Sequence, residues 1–262
     1  MIMHLAALHL AADDGERVPV VTGADTFSSF TKSVYSVLER TEYRRCGKGE
    51  DLEDIYRLRY RSYHRHGVVT DMSEGSIHDD LDETDNVHCF GVYIDQHLVS
   101  TLRIHHLDRE HRAGPSTQAF GDIVNPMIDD GLTFVDPSRF AADPEWSRIY
   151  PQIPYITLRL AGMACFYYNA PYCLSTIRED HALFYKRIYN SELLAEARDY
   201  PGVTTKVSLY MADVQAIREQ SFRRFPFFWS SQLEQRLMFG KPKEGELAPL
   251  TILPTVRTMQ AA

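Results

Sequence analysis

Apolar and polar positions alternate with a period that changes several times along this chain. Phe27, Phe30, Val34 and Leu38 fall at helical spacing, which predicts an amphipathic helix after a first stretch, residues 1–26, that shows no such order. "EYRRC" reads as a short strand. "GKGEDLEDIYRLRYRSYH" reads as a helix with glycine and acidic residues at its start, where the helix dipole favours negative charge. "VHCFGVYI" and "LVSTLRIHHL" flank the turn residues "DQH" and predict a β-hairpin. Residues 108–131 are rich in Gly, Pro, Asn and Ser and read as loop. Beyond them the order is strand ("TFVDPSRF"), long apolar helix (153–169), strand ("YCLSTI"), helix ("DHALFYKRIY"), strand ("KVSLYMA") and helix ("DVQAIREQSFRRF"). From residue 240 onward periodicity is lost. The pattern predicts one mixed α/β domain over residues 42–239, with a helical extension over 1–41 and a loosely attached tail over 240–262.

Composition narrows what such a domain does. A chain of 262 residues with 28 basic and 36 acidic side chains carries a net charge of −8, so a surface built throughout for nucleic acid is excluded and any basic function is local. Cys46, Cys89, Cys165 and Cys173 form no CxxC pair and no zinc-spaced group, which predicts neither disulfides nor a metal site but thiols in a reducing compartment. The opening "MIMHLAALHLAADDGER" lacks a basic n-region, and "YITLRLAGMACFYY" is interrupted by Arg159. A cytoplasmic protein is expected, with any membrane contact peripheral.

Against this acidic background, "RLRYRSYHRH" at residues 57–66 stands out. On a helix, Leu52, Ile55, Arg59, Tyr63 and His66 share one sector, while Arg57, Arg61 and Arg65 form a stripe on the opposite side. An unpaired guanidinium on an apolar stripe is costly, so Arg59 is expected to meet a carboxylate in the interior or in a cleft. The outer three fit either a solvated face or a docking surface for an acidic partner. Three further clusters carry charge in comparable settings. In "DDLDETD", Asp82 and Asp85 precede the first hairpin strand, either as a solvated loop or as partners of Arg59. Strand alternation puts Arg103 beside Val99, Thr101 and His105 on one face. In "FVDPSRF", Asp136 and Arg139 are close in sequence where a strand gives way to a Pro-containing segment, as a structural ion pair or as binding residues.

Taken together, these clusters resemble the long-chain N-acyl amino acid synthases, a family in the autoinducer synthase-like branch of the GNAT acyltransferases, over roughly residues 42–211. The branch has an Arg followed four residues later by an aromatic, as Arg59 and Tyr63 here. It then has a D-x-x-D pair before a strand (Asp82, Asp85), a strand Arg (Arg103), and an acidic residue before "SRF" (Asp136, then Ser138, Arg139 and Phe140). The chain departs from the autoinducer synthases in reading "GVVT" where they carry a tryptophan shortly after the first aromatic, and in having Asp136 where they have Glu. After the fourth strand, "RFAADPEW" lacks the glycine of the pyrophosphate cradle of acetyl-CoA-dependent relatives.

The resemblance implies a GNAT-like α/β fold, a mixed central sheet flanked by helices. It implies transfer of a long-chain fatty acyl group from acyl carrier protein to the α-amine of an amino acid. The co-substrate is the acyl-phosphopantetheine of the carrier, and no tightly bound cofactor or metal is expected. It assigns catalysis to Asp136, Arg139 and Tyr185, the last at the position where many GNAT enzymes place a tyrosine near the leaving thiolate. Acceptor binding falls to Arg59, Tyr63, Asp82, Asp85 and Arg103. With an acidic carrier as donor, the charge of the Arg57, Arg61 and Arg65 stripe makes it the expected docking surface, with Arg223 and Arg224 next. Tyr185 also fits an ordinary half-buried aromatic, and "FPFFW" at 225–229 fits core packing better than an acyl tunnel. Two other functions stay open: an acyl-homoserine-lactone (autoinducer) synthase, and a non-catalytic acyl-binding module of the same fold.

Overall fold

The computed structural model of the chain describes residues 27–47, 49–70, 74–241 and 251–255. The expected extension over residues 1–26 and most of the expected tail lie outside these. Helix α1 (Ser29–Leu38) begins where the Ser28 hydroxyl accepts the Thr31 backbone N–H at 3.1 Å, and it buries Val34, Val37 and Leu38. Strands β1 (Thr41–Arg45), β2 (Val87–Ile94), β3 (His97–Leu107), β4 (Phe134–Ala142), β5 (Tyr172–Ile177), β6 (Glu192–Arg198) and β7 (Val207–Asp213) form one sheet in the order β1-β2-β3-β4-β5-β7-β6. The β2–β3 hairpin turns at Asp95 and Gln96, whose φ of 48° and 68° match the primed turn that a right-twisted hairpin favours.

One feature of the sheet positions everything functional. All neighbouring strands are antiparallel except β4 and β5, which pair in parallel at Phe134–Tyr172 and Val135–Cys173. Beyond those two pairs the strands part, β4 staying with β3 and β5 with β7, so a wedge opens in the middle of the sheet.

Helix α2 (Glu50–Arg65) packs over β3 and β4 on one face, and helix α5 (Ile153–Tyr167) covers the other. Phe90, Val92, Leu102 and Ile104 of the sheet pack there with Ile156, Leu160 and Met163 of α5. Each such side chain contributes about 1.5–3 kcal/mol on burial. Arg159, in the middle of α5, is buried on that side. It donates to the Phe227 and Trp229 carbonyls at 2.8 and 2.6 Å and to Glu234 Oε2 at 2.9 Å. Glu234 belongs to α8 (Gln232–Phe239) and also accepts the Thr255 N–H at 3.1 Å. Ile252 exchanges backbone hydrogen bonds of 2.8 and 2.9 Å with Tyr43, so residues 251–255 of the tail are held against the edge strand rather than loosely attached.

One local expectation is corrected, two elements had no sequence signal, and the core reading of the aromatic run holds. Residues 108–131 are not a loop throughout, because α3 spans Pro115–Asp129 and buries Phe120, Val124 and Ile128 at four-residue spacing. Pro115 lies in its first turn, where no N–H is needed, and a kink at Phe120 accommodates the irregular composition. "ELLAEAR" becomes edge strand β6 despite its helix-forming residues, since pairing with β7 outweighs propensity. Helix α8 has only a short apolar period and is likewise unforeseen. The Phe225–Phe228 run is core, with Phe227 packed between α1 and Tyr155. Further helices among the described residues, α4 (Trp146–Ile149), α6 (Ala182–Tyr189) and α7 (Val214–Arg224), contribute side chains to the wedge and the cavity beside it. Among the described residues no helix is long and apolar enough to cross a membrane.

Candidate active site

Arg59 lies on the buried side of α2, and its Nη1 donates to both carboxylate oxygens of Asp82 at 2.9 and 3.0 Å. Asp82 ends a single 3-10 turn (Asp80–Asp82) in which Asp79 and Asp82 cap each other: the Leu81 N–H reaches Asp79, and the Asp79 N–H reaches Asp82. The turn thereby holds two carboxylates toward β3. Arg103 enters between them, at 3.1 Å from Asp82 Oδ2 and in contact with Asp79 Oδ1, while its Nε donates to Ser138 at 3.0 Å. Arg139 closes the row on the other carboxylate oxygen of Asp79. The result is an alternating chain Arg59–Asp82–Arg103–Asp79–Arg139 that carries one more positive than negative charge.

Burial alone would raise the Asp79 and Asp82 carboxyls. The arginines beside them overcome it and hold both below the usual carboxylate range. Both stay ionised at neutral pH. His105, one strand pair along, donates through Nε2 to the Leu81 carbonyl at 2.9 Å. Burial, then Arg103, pushes its pKa down to about 4, so it is neutral and adds no charge to the row.

Asp85 takes no place in this chain. It is exposed after the turn, and the second carboxylate is Asp79, the other member of the D-x-x-D spacing that ends at Asp82. Nor do Asp136 and Arg139 form a pair. Arg139 adopts φ 52° where β4 shifts register against β3, a bulge that re-aims its side chain to Asp79. Asp136 is fully buried and receives the Ser116 backbone N–H at 2.8 Å and the Ser116 hydroxyl at 2.7 Å. Gly114 lets the start of α3 approach this closely, since a Cβ there would lie 3.0 Å from Asp136 Oδ2 and 2.8 Å from Leu107. Burial pushes the Asp136 pKa up to about 6, against the opposing hydrogen bonds from Ser116 and the charge of Arg103. Ser116 Oγ in turn lies 2.9 Å from the Thr176 hydroxyl on β5, so hydroxyls bridge the strands across the wedge.

The wedge opens as a cleft of about 630 Å³ whose walls include Tyr63, Arg139, Thr176, Tyr185 and Tyr200. Arg65, Arg148 and Arg178 stand along it, with Asp180 as a carboxylate beside Arg178 at 3.0 Å. The cleft is therefore net cationic. Arg59, Asp82 and Asp136 lie behind its wall and shape it without reaching it, whereas Arg139 and Tyr63 face it, the Tyr63 hydroxyl donating to the Phe140 carbonyl at 3.3 Å. Tyr185 borders both this cleft and an adjoining narrow apolar cavity. Burial, then neighbouring Cys173 and Tyr63, raises its pKa, so the phenol keeps its proton. Of the outer arginines, Arg57 is tied to Glu53 and Asp54 of its own helix at 3.0 and 3.2 Å, and Arg61 lies 3.6 Å from Asp143. Only Arg65 of that stripe faces the cleft. Among the described residues, no group of three or more His, Cys, Asp or Glu side chains is placed to hold a metal.

Sequence reasoning missed Asp79, Ser116 and Thr176. "GPS" at 114–116 is the one local signal, a Gly-Pro helix start whose free N–H groups suit a carboxylate.

The family described as N-acyl amino acid synthase FeeM matches residues 54–213. The structure of FeeM, an N-acyl amino acid synthase from uncultured soil microbes, superposes with a TM-score of 0.59 at 16% identity, covering 71% of this chain and 97% of that one. The AHL synthase LasI gives a TM-score of 0.48 at 14% identity over 66% of this chain and 88% of its own. The fold is mixed α/β and GNAT-like, as in the FeeM synthase. No curated protein matches the chain.

Proposed function

The chain belongs to the N-acyl amino acid synthase FeeM family of acyltransferases, and from that premise we propose that it moves a long-chain fatty acyl group from acyl carrier protein to the α-amine of an amino acid. The observation that carries this reading is the meeting, inside the wedge between β4 and β5, of a net cationic wall with a narrow apolar cavity, Tyr185 forming part of both. The cationic side suits a carboxylate acceptor. The apolar side suits a hydrocarbon chain.

In the mechanism, Arg139 and the excess positive charge behind it bind the acceptor carboxylate in the cleft. The α-ammonium gives one proton to the Thr176 hydroxyl, which passes its own to Ser116 and so to Asp136, a carboxylate whose proton affinity burial raises. The free amine attacks the thioester carbonyl, an N–C bond forms and the C–S bond breaks. The second proton of the nitrogen offsets the one that Tyr185 donates to the departing thiolate. No covalent enzyme intermediate is required. The row of arginines and aspartates fixes the wall, so Arg59, Asp82 and Arg103 act as positioning residues.

The carrier-borne donor is supported by the segment that ends β4 and leads into α4. "RFAADPEW" offers no glycine cradle for a nucleotide pyrophosphate. A phosphopantetheine arm on an acidic carrier needs only a cationic rim, for which Arg65, Arg148 and Arg178 are placed. Such a carrier puts the reaction in the cytoplasm. Steady-state kinetics with one acyl chain on both donors tests the assignment: kcat/KM is expected to be far higher for the carrier thioester than for the CoA thioester, and equal values would overturn it.

A further inference from the structure

The apolar cavity has a second end. It shares Pro137, Leu158, Ser175 and Tyr185 with the cationic cleft, and on its other side it shares Cys165, Phe166, Val214 and Arg218 with a polar cleft of about 490 Å³ bordered by α5, α7 and α8. A narrow apolar cavity of about 70 Å³ thus lies between the cationic cleft and a polar cleft on a different surface. At its far junction the Arg218 guanidinium lies over the rings of Phe166 at 5.0 Å and Phe222 at 6.0 Å. Gly162 stands partway along, inside α5, where glycine is unfavourable relative to alanine. A Cβ there would meet nothing within 4 Å, so open space, not crowding, faces this position.

We propose that Arg218, stacked on Phe166 and Phe222, is the end-stop that sets the length of acyl chain the enzyme accepts. A methyl terminus that reached Arg218 would have to push a cation off two aromatic faces or emerge among Gln215, Glu219 and Gln232 of the polar cleft, and either is unfavourable for hydrocarbon. The proposal rests on the acyl-transfer reading given above and adds the residue that fixes its substrate.

The test uses Arg218→Ala and Gly162→Leu with a ladder of saturated acyl chains of increasing even length, supplied as carrier and CoA thioesters for turnover and as free fatty acids for binding. Arg218 is exposed, so its replacement leaves the core intact. Arg218→Ala is expected to shift preference toward longer chains by roughly tenfold per added step past the stop, with the shorter chains retained. Gly162→Leu is expected to shift preference the other way. An unchanged length profile in Arg218→Ala, in turnover or in fatty-acid binding, overturns the end-stop. A shifted binding profile without turnover of any thioester supports the stop and refutes the enzymatic reading.

Discussion

Removing Arg59 and removing Arg139 should have very different costs, although both arginines belong to the same charged row. The Arg59 and Asp82 side chains are 0% and 1% exposed, and loss of one partner from a buried pair costs about 3–5 kcal/mol. Asp82 would keep Arg103 at 3.1 Å and the Asp79 N–H at 3.0 Å, which places Arg59→Ala at the lower end, about 3 kcal/mol. Asp79 is 29% exposed and keeps Arg103, so Arg139→Ala leaves its carboxylate both partnered and hydrated, a loss of about 1 kcal/mol or less. For a chain of this size these values correspond to falls of about 6–12 °C and about 2–4 °C in Tm. Urea unfolding followed by tryptophan fluorescence, checked by thermal melts, measures both. Arg139→Ala should nevertheless lose more acceptor affinity than its stability suggests, because Arg139 faces the cleft. If the two variants are equally destabilised, or Arg59→Ala costs less than Arg139→Ala, the alternating row does not govern the stability of this wall.

Asp136 should leave an opposite pH signature from its neighbours. Its folded pKa of about 6 lies above the unfolded value near 3.9, so between those values the native state holds the extra proton and stability falls as pH rises. Asp79 and Asp82 are depressed, so the stability they give is present above their unfolded value and is lost as the pH falls below about 4. Asp136→Asn should abolish the fall between pH 4 and 6 seen in urea titrations while reducing kcat; a fall of the same size in the variant would mean another group is responsible. Tyr185→Phe should lower kcat about a hundredfold with little change in KM, if the phenol acts on the leaving thiolate, and an unchanged kcat in single-turnover assays removes it from the mechanism. Changing Arg65 and Arg148 to Glu should raise KM for the carrier thioester severalfold and flatten its salt dependence, whereas Arg57→Glu should do little, since Arg57 is held by Glu53 and Asp54. Equal effects of the two changes would place docking on the helix face instead.

Where charge conflicted with periodicity, the sequence was readable. Arg59 interrupts an apolar helical stripe and Arg103 an apolar strand, and both prove to be buried among carboxylates. Where the choice lay within one polar run, it was not. Nothing in "DDLDETD" distinguishes Asp79 from Asp85, because only a 3-10 turn seated under β3 decides which carboxylates face inward. The proximity of Asp136 and Arg139 suggested a pair, but the left-handed backbone at Arg139 sends the guanidinium to Asp79 instead. Ser116 and Thr176 stayed hidden for a different reason: their meeting depends on α3, which its glycines and prolines disguised, and on the wedge between β4 and β5, a property of strand order and not of any local segment.

On the proposed function, this wedge joins a carrier-borne acyl chain to an amino acid through an amide. The most direct test of that function is mass spectrometry of the purified protein incubated with long-chain acyl carrier protein and a mixture of amino acids. The expected result is an N-acyl amino acid that retains a free carboxylate, formed one for one with carrier thiol. A lactone product formed only when S-adenosylmethionine is supplied, or an intact thioester with every amino acid, would contradict it.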